Sequence, residues 1–141
     1  MLYTNPKDWK NSKSKRVLLF GMSGLGKTYI SNLLREDGDW FHYSIDYRIG
    51  TRYMGEFISD SYKLAAMKTP YLGELLKSDS IYIDSNITFD NLAPLSNYLG
   101  KPGNIELGGI PIAEYEKRQE QHRKAEVVAL LDTGYFASRS K

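Results

Sequence analysis

The sequence predicts an α/β fold, with about three parallel strands in a short sheet and helices layered on both faces. Three observations point to it. Short β-prone runs stand at Arg16–Phe20, Trp40–Ile45 and Ser80–Ile83. Segments with helical spacing of apolar residues separate them, so strand and helix alternate and right-handed crossovers follow. A glycine-rich turn joins the first run to the first helix, the place where such folds put a loop rather than a hairpin.

Arg16-Val17-Leu18-Leu19-Phe20 reads as a buried first strand, and Tyr29 to Glu36 as the helix behind the turn. Asp37-Gly38-Asp39 is a turn signal. The aromatic run Trp40–Ile45 reads as the second strand, ending at Asp46. Tyr47 to Met67 has roughly helical spacing, interrupted at Gly50 and Gly55, and Pro70 is placed to open a short helix through Leu76. Ser80–Ile83 is the third strand, running out at Asp84-Ser85-Asn86. Asp90 to Leu99 reads as a helix whose Pro94 fits only in the first turn. After a glycine- and proline-rich connection comes a long polar helix from Ile112 to about Leu131, with Ile112, Tyr115, Ala125, Val128 and Leu131 on one face. Three strands fall short of the usual five or so, so residues 16–141 read first as the N-terminal part of a larger domain continuing past Lys141, with a compact minimal version of the fold as the alternative. Residues 1–15 form a basic lead-in, read as a solvated arm before the first strand.

Composition narrows the functions. The 141 residues carry a net charge of +2, 41% hydrophobic residues and no cysteine. Zinc-thiolate sites, disulfides and thiol nucleophiles are excluded, which suits a cytoplasmic protein. No run reaches membrane-spanning length, no signal-peptide core is present, and the charge is too small to imply nucleic acid. His42 and His122 have no partner at metal-ligand spacing.

The turn itself carries the chemistry. Gly21-Met22-Ser23-Gly24-Leu25-Gly26-Lys27-Thr28 reads G-x-x-x-x-G-K-T, the phosphate-binding loop. Glycines let backbone N–H groups close around an anionic phosphate where a Cβ would clash. The helix that follows points its positive end at the same anion. Lys27 brings a full charge to the β- and γ-phosphates, and the Thr28 hydroxyl is a ligand for Mg²⁺. The implied cofactors are therefore ATP and Mg²⁺. Asp46 is a candidate general base or metal ligand, and Asp84, at the end of an apolar run, a candidate metal carboxylate. Strand-end turn or cap residues are the ordinary alternative for both. Arg48 and Arg52 are read first as exposed helix charges, with an anion clamp as the alternative.

On these residues the chain resembles the P-loop NTPases, and among them the small kinases of the shikimate kinase and nucleoside monophosphate kinase group. The resemblance is specific over Val17 to Leu34 and thinner from Ser44 to Ile58. Shikimate-type kinases end their second strand in Asp-x-Asp followed by isoleucine and glutamate. Ser44-Ile45-Asp46-Tyr47-Arg48-Ile49-Gly50 keeps the second aspartate and the isoleucine, so the resemblance places Asp46 between metal and acceptor hydroxyl. The family's later glycine triplet is replaced by Asp84-Ser85-Asn86, so the match stops short of a shikimate cradle. Arg118 and Arg123 stand where such kinases carry a lid arginine over the transferred phosphoryl group. The resemblance implies Mg-dependent phosphoryl transfer from ATP to a small acceptor. An ATPase or nucleotide-dependent switch working with a protein partner uses the same loop and stays open as the alternative.

Overall fold

A strand is stable only beside another strand, and none of the three β-prone runs finds one. The computed structural model describes residues 3–22 and 24–140, and among them there is no β-sheet. The chain is 61% helical, so the expected α/β fold with its parallel sheet is corrected to an all-helical one, and the resemblance to the P-loop NTPase fold fails with it. The physical reason shows in the first run. Parallel strands are covered on both faces, but Leu18 and Phe20 are 76% and 85% exposed. Trp40 to Ser44 is irregular, and Ile45 already belongs to a helix. Residues 81–89 keep a two-residue alternation of half-buried and exposed side chains, as a strand would. Their half-buried face is covered by helices instead, with Ile87 against the core, and from the other face Asp84 bonds to Ser59 of the Gly55–Ala66 helix. Alternation in sequence records one covered face and does not name what covers it.

The described residues form seven α-helices: α1 (Pro6–Asn11), α2 (Lys27–Asp37), α3 (Ile45–Arg48), α4 (Gly55–Ala66), α5 (Pro70–Lys77), α6 (Ala93–Leu99) and α7 (Ile112–Arg139). Local rules explain their starts. Asn5 caps α1 by accepting from the N–H groups of Lys7 and Asp8 at 2.9 and 3.0 Å, with Pro6 in the first turn. Pro70 opens α5, and Pro94 sits in the first turn of α6, where no backbone N–H is missed. The long polar helix runs eight residues past its expected end, to Arg139. None of the helices described is long and apolar enough to cross a membrane.

The chain divides into two compact units: residues 1–42 with 137–141, and residues 43–136. In the second, one π-helical turn at Ile49–Tyr53 joins α3 to α4, marked by the Met54 N–H donating to the Ile49 carbonyl at 2.8 Å. Its effect is on register. Five residues along an α-helix turn a side chain about 140° away, whereas Ile49 and Met54 here join one cluster with Ile58 four residues on. These three are fully buried, and Leu95, Tyr98, Ala125 and Ala129 complete the core. α4 packs on α5, on α6 and on the π turn. From α7, Asp132 accepts hydrogen bonds from Arg48 Nε at 3.0 Å and from the Tyr53 hydroxyl, and the Ala129 carbonyl accepts from Tyr43 at 2.7 Å.

The connection before α7 closes on itself. Ile110 N–H donates to Lys101 O at 2.9 Å and Gly103 N–H to Ile110 O at 3.1 Å, beside a parallel bridge between Pro102 and Ile110. A Cβ on Gly109 would lie 2.5 Å from the carbonyl carbon of Gly103 and 2.8 Å from its Cα. Backbone must move to admit it, so Gly109→Ala is expected to cost about 1–3 kcal/mol and to speed amide exchange at Gly103 and Ile110. Unchanged exchange at both would refute that packing.

Candidate functional site

The glycine loop lies wholly in the first unit. Gly24 and Gly26 have φ of +83° and +76°, left-handed values that side chains beyond glycine rarely adopt. Gly26 stands at the N-terminal boundary of α2, and no side chain caps that helix. Among the described residues, no backbone carbonyl accepts from the N–H groups of residues 25–28. Donors at a helix start that lack an intrahelical acceptor are suited to solvent or to an anion. Lys27 folds back over the loop, its ammonium donating to Gly21 O at 2.8 Å and Met22 O at 2.6 Å. Thr28 is exposed, and its hydroxyl has no hydrogen-bond partner among the described residues. Met22 and Leu25 are exposed on the loop surface. Ser23, the remaining loop position, lies outside the described residues.

The other candidates belong to the second unit. Asp46 is exposed in the first turn of α3, behind Ser44, whose hydroxyl accepts from Tyr47 N–H at 3.2 Å. Its carboxylate forms no ion pair or hydrogen bond among the described residues. Asp84 is engaged on both oxygens, accepting from buried Ser59 and the Ser85 N–H on one and from Tyr82 at 2.8 Å on the other. The Ser59 and Tyr82 hydroxyls and the Ser85 N–H hold its carboxyl below the ordinary 3.8. It borders an open cleft of about 500 Å³ with Thr51, Glu56, Asp60, Lys63 and Tyr82, a cleft that includes neither Asp46 nor the two arginines.

Arg118 and Arg123 are both occupied. Arg118 donates from Nε to Glu114 at 2.8 Å and from its guanidinium to the Tyr98 carbonyl, and lies 4.6 Å over the Tyr98 ring. That arrangement ties α7 to α6. Arg123 donates two 2.7 Å hydrogen bonds to Glu120, whose pKa its guanidinium pulls down to about 2. Arg48 is bound to Asp132 and lies 5.0 Å from the Phe136 ring, a structural tie rather than an open clamp. Among the described residues, no three His, Asp or Glu side chains gather in a way that would hold a metal ion.

Sequence reading missed the group around Asp132. Tyr53 and Arg48, which lie 79 and 84 positions away, hold its carboxyl below the ordinary 3.8 by hydrogen bonding. Unfolding raises that pKa, so the unfolded chain takes up the proton first as acid is added. The tie stabilises fully above about pH 3.8 and is lost as pH falls through the lowered folded value. Carboxyl ¹³C NMR is expected to place the Asp132 midpoint below 3.8 and to show it rising in Tyr53→Phe and Arg48→Ala. A midpoint indifferent to both changes would refute the tie. No protein-family model, curated protein or solved structure matches the chain.

Proposed function

We propose that residues 21–28 grip the phosphates of Mg-bound ATP, and that the chemistry served by this grip is transfer of the γ-phosphoryl group to a small acceptor or to water. The observation that carries this reading is the joint state of the loop: four backbone N–H groups with no backbone acceptor among the described residues at the uncapped start of α2, beside the Lys27 ammonium. A polyphosphate supplies what each lacks. Its oxygens accept from the open N–H groups, and its charge outcompetes two neutral carbonyls for Lys27. The free Thr28 hydroxyl is then the metal's protein ligand.

Calorimetric titration with Mg·ATP, Mg·ADP and AMP tests the grip. Affinity should fall as phosphates are removed, and equal affinity for all three would mean that the loop does not hold the phosphate chain. Turnover is tested separately, by phosphate release and by transfer to a panel of hydroxyl acceptors.

A further inference from the structure

The segment just before the loop is as unusual as the loop. Arg16–Phe20 is extended in sequence character, and no described residue pairs with its backbone N–H or C=O groups. Val17, Leu18 and Phe20 present large apolar side chains to solvent. A β-prone run with open edges and bare apolar residues is a template for another strand. The charge around it says which. Between Lys7 and Arg16 the sequence has five basic side chains and one acidic one, in a chain whose total is only +2. Lys10, Lys13 and Arg16 form no ion pair among the described residues.

We propose that Arg16–Phe20 is a docking strand that takes up, by backbone pairing, an extended segment of a partner protein with alternating apolar residues and acidic flanks. Backbone hydrogen bonds give such an addition its hold, and the side-chain pattern and flanking charges give it selectivity. Other occupants fit less well. A second copy of the same segment would bring two strongly basic stretches together. A bilayer would cover Leu18 and Phe20 but leave the peptide groups of the run without partners in hydrocarbon, which is costly. Single-stranded nucleic acid stacks successive bases on several aromatic faces, and the run offers a single one, Phe20. This inference is independent of nucleotide binding, because it uses the residues before Gly21.

The test uses a synthetic peptide of alternating threonine and valine flanked by glutamates, titrated into the full chain and followed by NMR amide exchange. Slowed exchange is expected at alternate amides of residues 17–20, since one strand edge donates from every second residue. The same peptide flanked by lysines should bind at least about tenfold more weakly at low salt, and the difference should shrink as salt rises. Leu18→Pro, at an exposed position, should abolish pairing while the helical amides keep their shifts. Equal binding of the two peptides, or no slowed exchange at saturation, overturns the proposal. Protection that rises with protein concentration alone assigns the strand to a second copy and overturns it. Binding to phosphatidylserine vesicles in place of the peptide does the same.

Discussion

Replacing Lys27 by alanine is expected to weaken Mg·ATP binding by about a hundredfold or more while leaving the helical content intact. A hydrogen bond to a charged group contributes about 1.5–3 kcal/mol, and each 1.4 kcal/mol is tenfold in affinity. Lys27 would make such bonds to two phosphates at once, so about 3 kcal/mol is the lower end of its loss. The fold has little stake in the same side chain. Its present partners are the carbonyls of Gly21 and Met22, both on exposed residues, and water replaces the lost donor there. α2 keeps its own backbone ladder from the Ile30 N–H to the Gly26 carbonyl onward. Calorimetry gives the affinity and circular dichroism the fold. Unchanged affinity in a folded variant would remove the loop from the proposed function. Lost affinity together with lost helix would show that Lys27 supports the fold.

Adenosine at high affinity without its phosphates would be a different failure, because it would leave the loop's glycines unexplained. Gly24 and Gly26 adopt left-handed backbone, which suits the proposed anion nest, and packing does not require it, since a Cβ at either would meet nothing within 4 Å. The loop's constraint is thus conformational rather than steric. Gly24→Ala and Gly26→Ala would act through backbone strain, at about 1 kcal/mol each.

What the sequence made legible divides along a physical line. Signals carried by the backbone of one residue came through: Pro70 and Pro94 opening helices, and the polar pattern of the last helix. Those signals depend on neighbours a few positions away, which sequence contains. The sheet did not follow, because Val17–Phe20 and Ile81–Ile83 show an apolar pattern that a strand, an extended segment on helices, or an exposed run can share. Only a partner at long range separates these cases. The π turn was hidden for a related reason. Gly50 and Gly55 read as interruptions of a helix, whereas the structure inserts one residue and so brings Ile49 into line with Met54 and Ile58. Of the candidate site, the left-handed glycines at 24 and 26 agree with the loop the sequence pattern suggests. The engagement of Arg118 by Tyr98 and of Arg48 by Asp132 was not readable, because both depend on where α7 lies.

That register gives the second large prediction. Ile58→Ala is expected to destabilise the unit of residues 43–136 by about 2–5 kcal/mol. A unit of that length has about 5–14 kcal/mol of stability in total, so one side chain carries a large share. The reason is the small size of the core. Ile58 is fully buried among Ile49, Met54, Leu95, Tyr98, Ala125 and Ala129, and the side chains packed against that cluster, Ile45, Tyr53, Tyr62, Ile87 and Leu99, are themselves only partly buried. The cavity is lined from the α4, α6 and α7 sides by side chains already in contact, so collapse is limited and the cost should sit in the upper half of the range. Leu64, on the same helix and 68% exposed, is the internal control. Leu64→Ala should change stability by less than about 0.5 kcal/mol. Thermal unfolding followed by Tyr98 and Tyr53 ring signals would show the Ile58 variant melting about 10–30 °C lower, with signals of α2 in the other unit unshifted below that transition. Equal loss in both variants would mean that α4 does not turn Ile58 inward, and the π turn's role in setting the core would fall with it.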